Sequence, residues 1–347
     1  FIKNMFENIQ IPIFYALVIS FLVSFISSFL LVNINSNYKT SKQTQKRLSS
    51  LNVPPLGGVG MAISFFLSVR LLGKADDIFV YISFFALAIT FLGVVDDFYN
   101  LNWKVKIIFQ FMIVAIPIIF LNIFINIENI FGFNFDNYLN LIFTIFWIIL
   151  LINSINFIDN MDGFAGVNTS FICLALGIIS FLSNQNYLAD VSFVLLFSIA
   201  GFFVLNFPPA KIYMGDSGSL FIGFILGFIS ILFDWNPTNE YTIYSSFAPV
   251  LLFFSIPLLD FITVFTSRIK NNISPTTGGT DHISHRLLKS GKTVRNVLGI
   301  MVLINIVIFS LLSLSIVFDN YTLIFLITYT TLIIFLFIKF LKMEILD

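Results

Sequence analysis

The chain is short of charge. Asp, Glu, Lys and Arg make up 10% of its 347 residues, and the two signs cancel to a net charge of zero. A soluble domain keeps itself hydrated with about 25% charged residues, so that class is excluded. A nucleic-acid partner is excluded too, because eighteen dispersed basic residues balanced by eighteen acids build no strand-tracking groove. There is one cysteine, Cys173, which rules out an internal disulfide. Histidine is scarcer still than charge: there are two, three positions apart.

What fills the chain is apolar, 58% hydrophobic residues with 46 Phe among them. Stretches long enough to cross a hydrocarbon core, roughly 17 to 25 residues each, recur from end to end. Eleven are legible, at approximately 11–33, 57–73, 78–95, 105–122, 139–157, 164–183, 188–206, 218–234, 245–267, 294–317 and 321–341. The expected fold is all-α, a polytopic membrane protein of about 11 transmembrane helices forming one domain over 1–347. The first span can itself direct insertion, so no cleavable signal peptide is required.

Cytoplasmic loops retain Lys and Arg while translocated ones lose them. Alternate connections plus the C-terminus hold 15 of the 18 basic residues, and the opposite side keeps Lys3, Arg70 and Lys74. This split sets the N-terminus outside and the C-terminus in the cytoplasm. Seven acids then fall at the cytoplasmic ends of spans: Asp96, Asp97, Asp159, Asp162, Asp216, Asp260 and Asp281. The expected active loops are 34–56, 96–104, 153–163, 207–217 and 268–293.

Each loop carries its own chemistry. Pro54-Pro55-Leu56-Gly57-Gly58 suits close approach of main chain to a phosphate, although a plain helix-breaking loop is the simpler reading. Asp96-Asp97 are adjacent carboxylates that need a cation or base to balance them, and Lys106 and Gln110 follow on one helix face. Asn153, Asn156, Asp159 and Asp162 place a polar group at every third position of a greasy segment, which is expensive unless used. In Lys211-Ile212-Tyr213-Met214-Gly215-Asp216-Ser217-Gly218-Ser219, a carboxylate sits between glycines and hydroxyls at a helix mouth, suited to a diphosphate and a metal. His282, His285 and Arg286 share a turn that can grip phosphate or nucleotide; two solvent-facing histidines are the alternative.

Together these residues resemble the polyprenyl-phosphate N-acetylhexosamine-1-phosphate transferases, membrane enzymes that begin peptidoglycan, teichoic acid and O-antigen assembly. The matching motifs run in order from Pro54 to about Arg286, and the hydropathy is similar to the branch that uses UDP-N-acetylglucosamine. The resemblance implies transfer of a sugar 1-phosphate from a UDP-sugar to undecaprenyl or another polyprenyl phosphate, with release of UMP. It implies catalytic roles for Asp96, Asp97, Asp159 and Asp162, and Mg²⁺ (or Mn²⁺) on Asp216. Lys106, Asn156, Lys211, His282, His285 and Arg286 would contact substrate. Attack by the lipid phosphate, assisted by Asp96, and a covalent route through an Asp nucleophile both stay open. Expected partners are a UDP-sugar, a polyprenyl phosphate lipid, the bilayer and, as one arrangement, a second copy in a homodimer, at the plasma membrane with the site facing the cytoplasm.

The chain departs from the family pattern in places. Asn160 and Asn100 stand where relatives have Gly, which suggests positive φ at both, since Asn tolerates it. Ser284 stands where many relatives have another His. An intramembrane aspartyl protease would need a Tyr-Asp pair, which the sequence lacks. A transporter would carry ionisable residues at mid-span.

Overall fold

The computed structural model describes residues 13–34, 53–72, 78–125, 137–234, 252–274, 279–317 and 322–343. All regular structure among them is helical. In chain order the helices are α1 (Ile13–Ile34), α2 (Gly57–Leu71), α3 (Ile78–Tyr99), α4 (Trp103–Leu121), α5 (Asn137–Ile158), α6 (Phe164–Leu182), α7 (Asn186–Asn206), α8 (Gly215–Leu232), α9 (Ser255–Lys270), α10 (Ile283–Lys289), α11 (Val294–Val317) and α12 (Thr322–Lys342). Among the described residues nine helices are long and apolar enough to cross a membrane, while α2, at 15 residues, and α9, at 16, are shorter. The chain is therefore a multi-pass membrane protein. A helix lies in each of the eleven expected stretches; for 245–267 it is seen from 252 onward.

The bundle is organised around α8. Every residue from Gly215 to Ser230 is buried, enclosed mainly by α3, α5 and α2. Small residues allow this closeness: a Cβ on Gly93 of α3 or on Gly58 of α2 would run into the backbone of Ser217 or Gly218 at the start of α8. Outside this core α1 packs on α2 and α7, α6 on α7 and α11, and α12 on α11 and α9. The outward faces carry exposed large apolar side chains such as Phe29, Phe91, Phe120 and Phe335, as a hydrocarbon surrounding allows.

Lipid offers no hydrogen bonds, so buried polar groups must find partners within the protein. Ser20 Oγ donates to Val194 O (2.8 Å), Ser24 Oγ to Ser198 O (2.6 Å) and Ser198 Oγ to Met61 O (2.9 Å), tying α1, α2 and α7. Asn305 Nδ2 donates to Asn168 Oδ1 (2.7 Å) between α11 and α6. Trp147 Nε1 donates to Ser230 Oγ (3.0 Å) between α5 and α8. Such bonds are worth modest amounts each but fix which faces meet.

Candidate functional site

Four helix ends converge at one end of the bundle. Helix α3 finishes with Asp96 and Asp97, both buried. The chain then reverses through Asn100, which does adopt a left-handed conformation (φ 50°). Asn102 caps α4 by accepting from the Lys104 N–H (3.0 Å). This tight hairpin returns Lys106 over Asp96, with its ammonium 2.9 Å from Asp96 Oδ2 and 2.8 Å from Asp216 Oδ2. Asp96 Oδ1 accepts from the Leu101 N–H (2.8 Å). The other oxygen of Asp216 accepts from Asn156 Nδ2 (2.8 Å), which also donates to Ser219 Oγ (2.8 Å). One lysine thus bridges two carboxylates from helices far apart in sequence, and one asparagine orients the second of them.

Asp97 does something different. Its Oδ1 accepts from the Asp216 N–H (2.9 Å) and its Oδ2 from the Ser217 N–H (3.2 Å). It is an N-terminal cap for α8 supplied by another helix, favourable because the first N–H groups lack intrahelical partners and the helix dipole attracts an anion. Gly215 (φ 71°) makes room, since a Cβ there would meet Pro55 O and the Asp97 carboxylate. Pro54 O accepts from the Tyr213 N–H (2.9 Å), and the N–H groups of Gly57 and Gly58 donate to Tyr213 O (3.0 Å) and Met214 O (3.1 Å). The Pro-Pro-Leu-Gly-Gly segment therefore spends its backbone on holding the entrance to α8, in line with the simpler reading of that loop.

The histidines form a second cluster. His282 Nδ1 lies 2.8 Å from Asp260 Oδ2, and Asp260 Oδ1 accepts from the Ile283 N–H (2.7 Å). His285 Nε2 lies 3.3 Å from Asn160 O, and the two imidazoles meet edge to face with centroids 5.9 Å apart. Burial, reinforced by the neighbouring His282, pushes the His285 imidazole down to about 4, so it is neutral at physiological pH. Burial works to raise the Asp281 carboxyl, but the two-pronged Arg268 guanidinium (2.7 Å on each oxygen) outweighs it and holds the pKa below the usual range. Phe157 packs edge to face on His282 (5.7 Å), so the end of α5 touches both clusters.

Not every expected residue joins these two groups. Arg286 is fully buried and caps the far end of α12, donating to Phe340 O (3.2 Å) and Met343 O (2.8 Å), with its Nε on Asp281 O (2.7 Å). Its guanidinium is held by backbone carbonyls rather than turned toward the histidines' ring partners. Lys211, expected beside Asp216, is exposed, and Lys106 takes that place. Asp162 Oδ2 accepts from the Ala210 N–H (3.0 Å) and pins the 207–214 loop; Asp159 is half-buried in the turn after α5. Asn160 is not among the residues with positive φ. Its side chain explains its presence instead: Oδ1 accepts from Ser284 Oγ, and Nδ2 donates to Phe157 O (2.8 Å). Asp260 was noted among the acids at span ends but given no role, and Arg268 was given none either. A lone Asp inside an apolar span, costly unless partnered, was the available signal.

Asp96 and Asp216 converge on a single cationic group, the Lys106 ammonium, and both present hard oxygen donors there. Among the described residues no three His, Cys, Asp or Glu gather into a metal cage. Such a donor set matches a cation that takes one or two carboxylates and completes its shell with water and phosphate oxygens, the habit of Mg²⁺.

Residues 79–234 match the family model described as glycosyl transferase family 4. A probable undecaprenyl-phosphate N-acetylglucosaminyl 1-phosphate transferase of Bacillus subtilis is 25% identical over 296 residues, covering 84% of this chain and 81% of that one. An undecaprenyl-phosphate alpha-N-acetylglucosaminyl 1-phosphate transferase of Thermotoga maritima is 25% identical over 258 residues, 73% of this chain and 75% of that one. A phospho-N-acetylmuramoyl-pentapeptide-transferase of Endomicrobium trichonymphae is 27% identical over 268 residues, 66% of this chain and 74% of that one.

Proposed function

We propose that this chain, whose residues 79–234 match the glycosyl transferase family 4 model, is a member of that family and transfers N-acetylglucosamine 1-phosphate, or a closely related N-acetylhexosamine 1-phosphate, from a UDP-sugar to undecaprenyl phosphate. An oxygen of the lipid phosphate attacks the β-phosphorus of the UDP-sugar. The bridging P–O bond breaks, UMP leaves, and the lipid carries a diphosphate-linked sugar. The observation that carries the reading is the Asp96–Lys106–Asp216 bridge at the mouth of α8, oriented by Asn156.

Both substrates are anions, so the site must offset negative charge. Lys106 does so directly. Asp216, with Asp96 beside it, would hold Mg²⁺, whose contribution when bound is to neutralise the diphosphate and the leaving UMP. Asp96 also aligns the acceptor phosphate and takes the proton of its monoanionic fraction; with a second pKa near about 6, most of that phosphate is already a dianion at neutral pH. Asp97 acts through geometry, keeping the first turn of α8, and with it Asp216, against α3. His282 and His285 form the further wall, where the nucleotide sugar's polar groups are read.

The Lys and Arg distribution supports eleven spans with the N-terminus outside and the C-terminus in the cytoplasm. The site then faces the cytoplasm of a cell whose plasma membrane holds the lipid. A transporter is the poorer reading, because the buried charges Asp96, Asp97, Asp216, Arg268, Asp281 and Arg286 belong to helix ends and connections, and Asp260, which lies inside α9, is taken up by His282 and the Ile283 N–H of the adjoining connection. Purified protein with UDP-N-acetylglucosamine and Mg²⁺ should release UMP only when undecaprenyl phosphate is added. Release without the lipid, or none with it, would reject the assignment.

A further inference from the structure

One turn below the charged bridge, on the side away from the helix ends, lies a pair of carboxamides. Gln110 follows Lys106 by four residues on α4, and Asn153 precedes Asn156 by three on α5. One helical turn is about 5.4 Å, so this pair sits about that much deeper along the two helices than the bridge. The hydrogen bonds fix which way each amide points. Asn153 Nδ2 donates to Ile149 O (2.8 Å), which settles its orientation, and the same nitrogen donates to Gln110 Oε1 (2.8 Å). Gln110 must therefore turn its oxygen to Asn153 and its NH₂ group the other way. That NH₂ has no partner among the described residues, although Gln110 is completely buried. Two N–H donors left unsatisfied at membrane depth are costly and call for an acceptor.

The geometry points to Gln110 as a binding group for an anionic phosphate oxygen that arrives from the bilayer side, the head of the lipid acceptor. A donor pair without an acceptor suits phosphate, which at neutral pH offers oxygens and few protons. The location selects between the two phosphate sources. A UDP-sugar enters from the aqueous end, past the α3–α4 turn. A lipid phosphate approaches along α4, whose outer face is apolar and exposed at Phe109, Phe111 and Met112. Lys106 above and Gln110 below would then hold the same phosphate. Asn153 is a positioning residue that keeps the Gln110 NH₂ turned away from itself.

This inference rests on the proposed transfer reaction, and its test separates the two. Steady-state kinetics are measured with undecaprenyl phosphate and UDP-N-acetylglucosamine varied independently, for the wild type, Gln110→Glu, Gln110→Met and Asn153→Asp. Both Gln110 variants remove the donors, and Gln110→Met does so without charge. Asn153→Asp replaces the donor facing Gln110 by an acceptor, so the Gln110 amide turns round and its NH₂ is consumed. The expected result is a rise of about tenfold or more in KM for the lipid in all three, with KM for the UDP-sugar within about twofold of wild type. Unchanged lipid KM in the Gln110 variants overturns the inference, as does a rise confined to the UDP-sugar or a fall in kcat alone. A wild type that forms no lipid-linked product overturns the transfer reaction instead.

Discussion

On the proposed mechanism the two carboxylates bridged by Lys106 have separable jobs, and pH separates them. If Asp96 removes a proton that solvent can also remove, Asp96→Asn should lose rate at pH 7 and regain a substantial part of it toward about pH 9. Asp216→Asn should stay inactive throughout while remaining folded, because alkali does not replace a metal ligand. Measuring kcat against pH for both variants decides it; parallel losses without recovery would make Asp96 a ligand or a nucleophile. His285 yields a prediction on stability. Its folded pKa of about 4 lies below the ordinary 6.5, so between those values the unfolded chain binds a proton that the folded one refuses. Its contribution is whole above pH 6.5 and is lost as pH falls toward 4. His285→Gln should therefore narrow the drop in thermal midpoint between about pH 7 and pH 4.5 by about 2 °C or more; an equal drop in both proteins would refute it. The sequence showed Asp96, Lys106, Asn156 and Asp216 because polar groups stand out at the ends of apolar spans. It hid the cap role of Asp97, whose partner is 119 residues away, and the Asp260–His282 pair, which joins a span to a loop.

At the level of elements, the site depends on how closely α2 and α3 approach α8. Gly93→Ala would place a methyl against the Ser217 backbone, which has no flexible side chain to give way. The expected cost is about 1–3 kcal/mol, with activity down tenfold or more as Asp97 is lifted off the α8 terminus. Gly299→Ala on α11 meets nothing within 4 Å and should be neutral or slightly stabilising, since Ala is the better helix former. Thermal midpoints and UMP release for the two variants check the contrast; similar behaviour would mean that the α3–α8 contact is not tight. The helices themselves were legible because a span is an uninterrupted apolar run and its ends carry Asn, Gly or Pro. Which helix is central was not, since α8 reads as no more apolar than its neighbours until its Gly223 and Gly227 are placed against Ile152 and Ile148 of α5.

For the molecule as a whole, the charged machinery gathers at one end of an otherwise apolar bundle, and the proposed orientation, which rests on the Lys/Arg split, puts that end in the cytoplasm. Cys173 is buried, so cysteines introduced at positions 43 and 276 should react with an impermeant reagent only from the cytoplasmic side, and one at position 186 only from outside. The reverse pattern would overturn the orientation. The reaction itself is tested most directly by following the β-phosphate. With UDP-N-acetylglucosamine labelled at that phosphorus, a sugar 1-phosphate transferase moves the label into the undecaprenyl lipid and leaves unlabelled UMP. Label in the lipid, matched one for one by UMP and requiring the divalent cation, is the expected result. Label retained in released UDP would mean that the sugar alone is transferred, and would contradict the account.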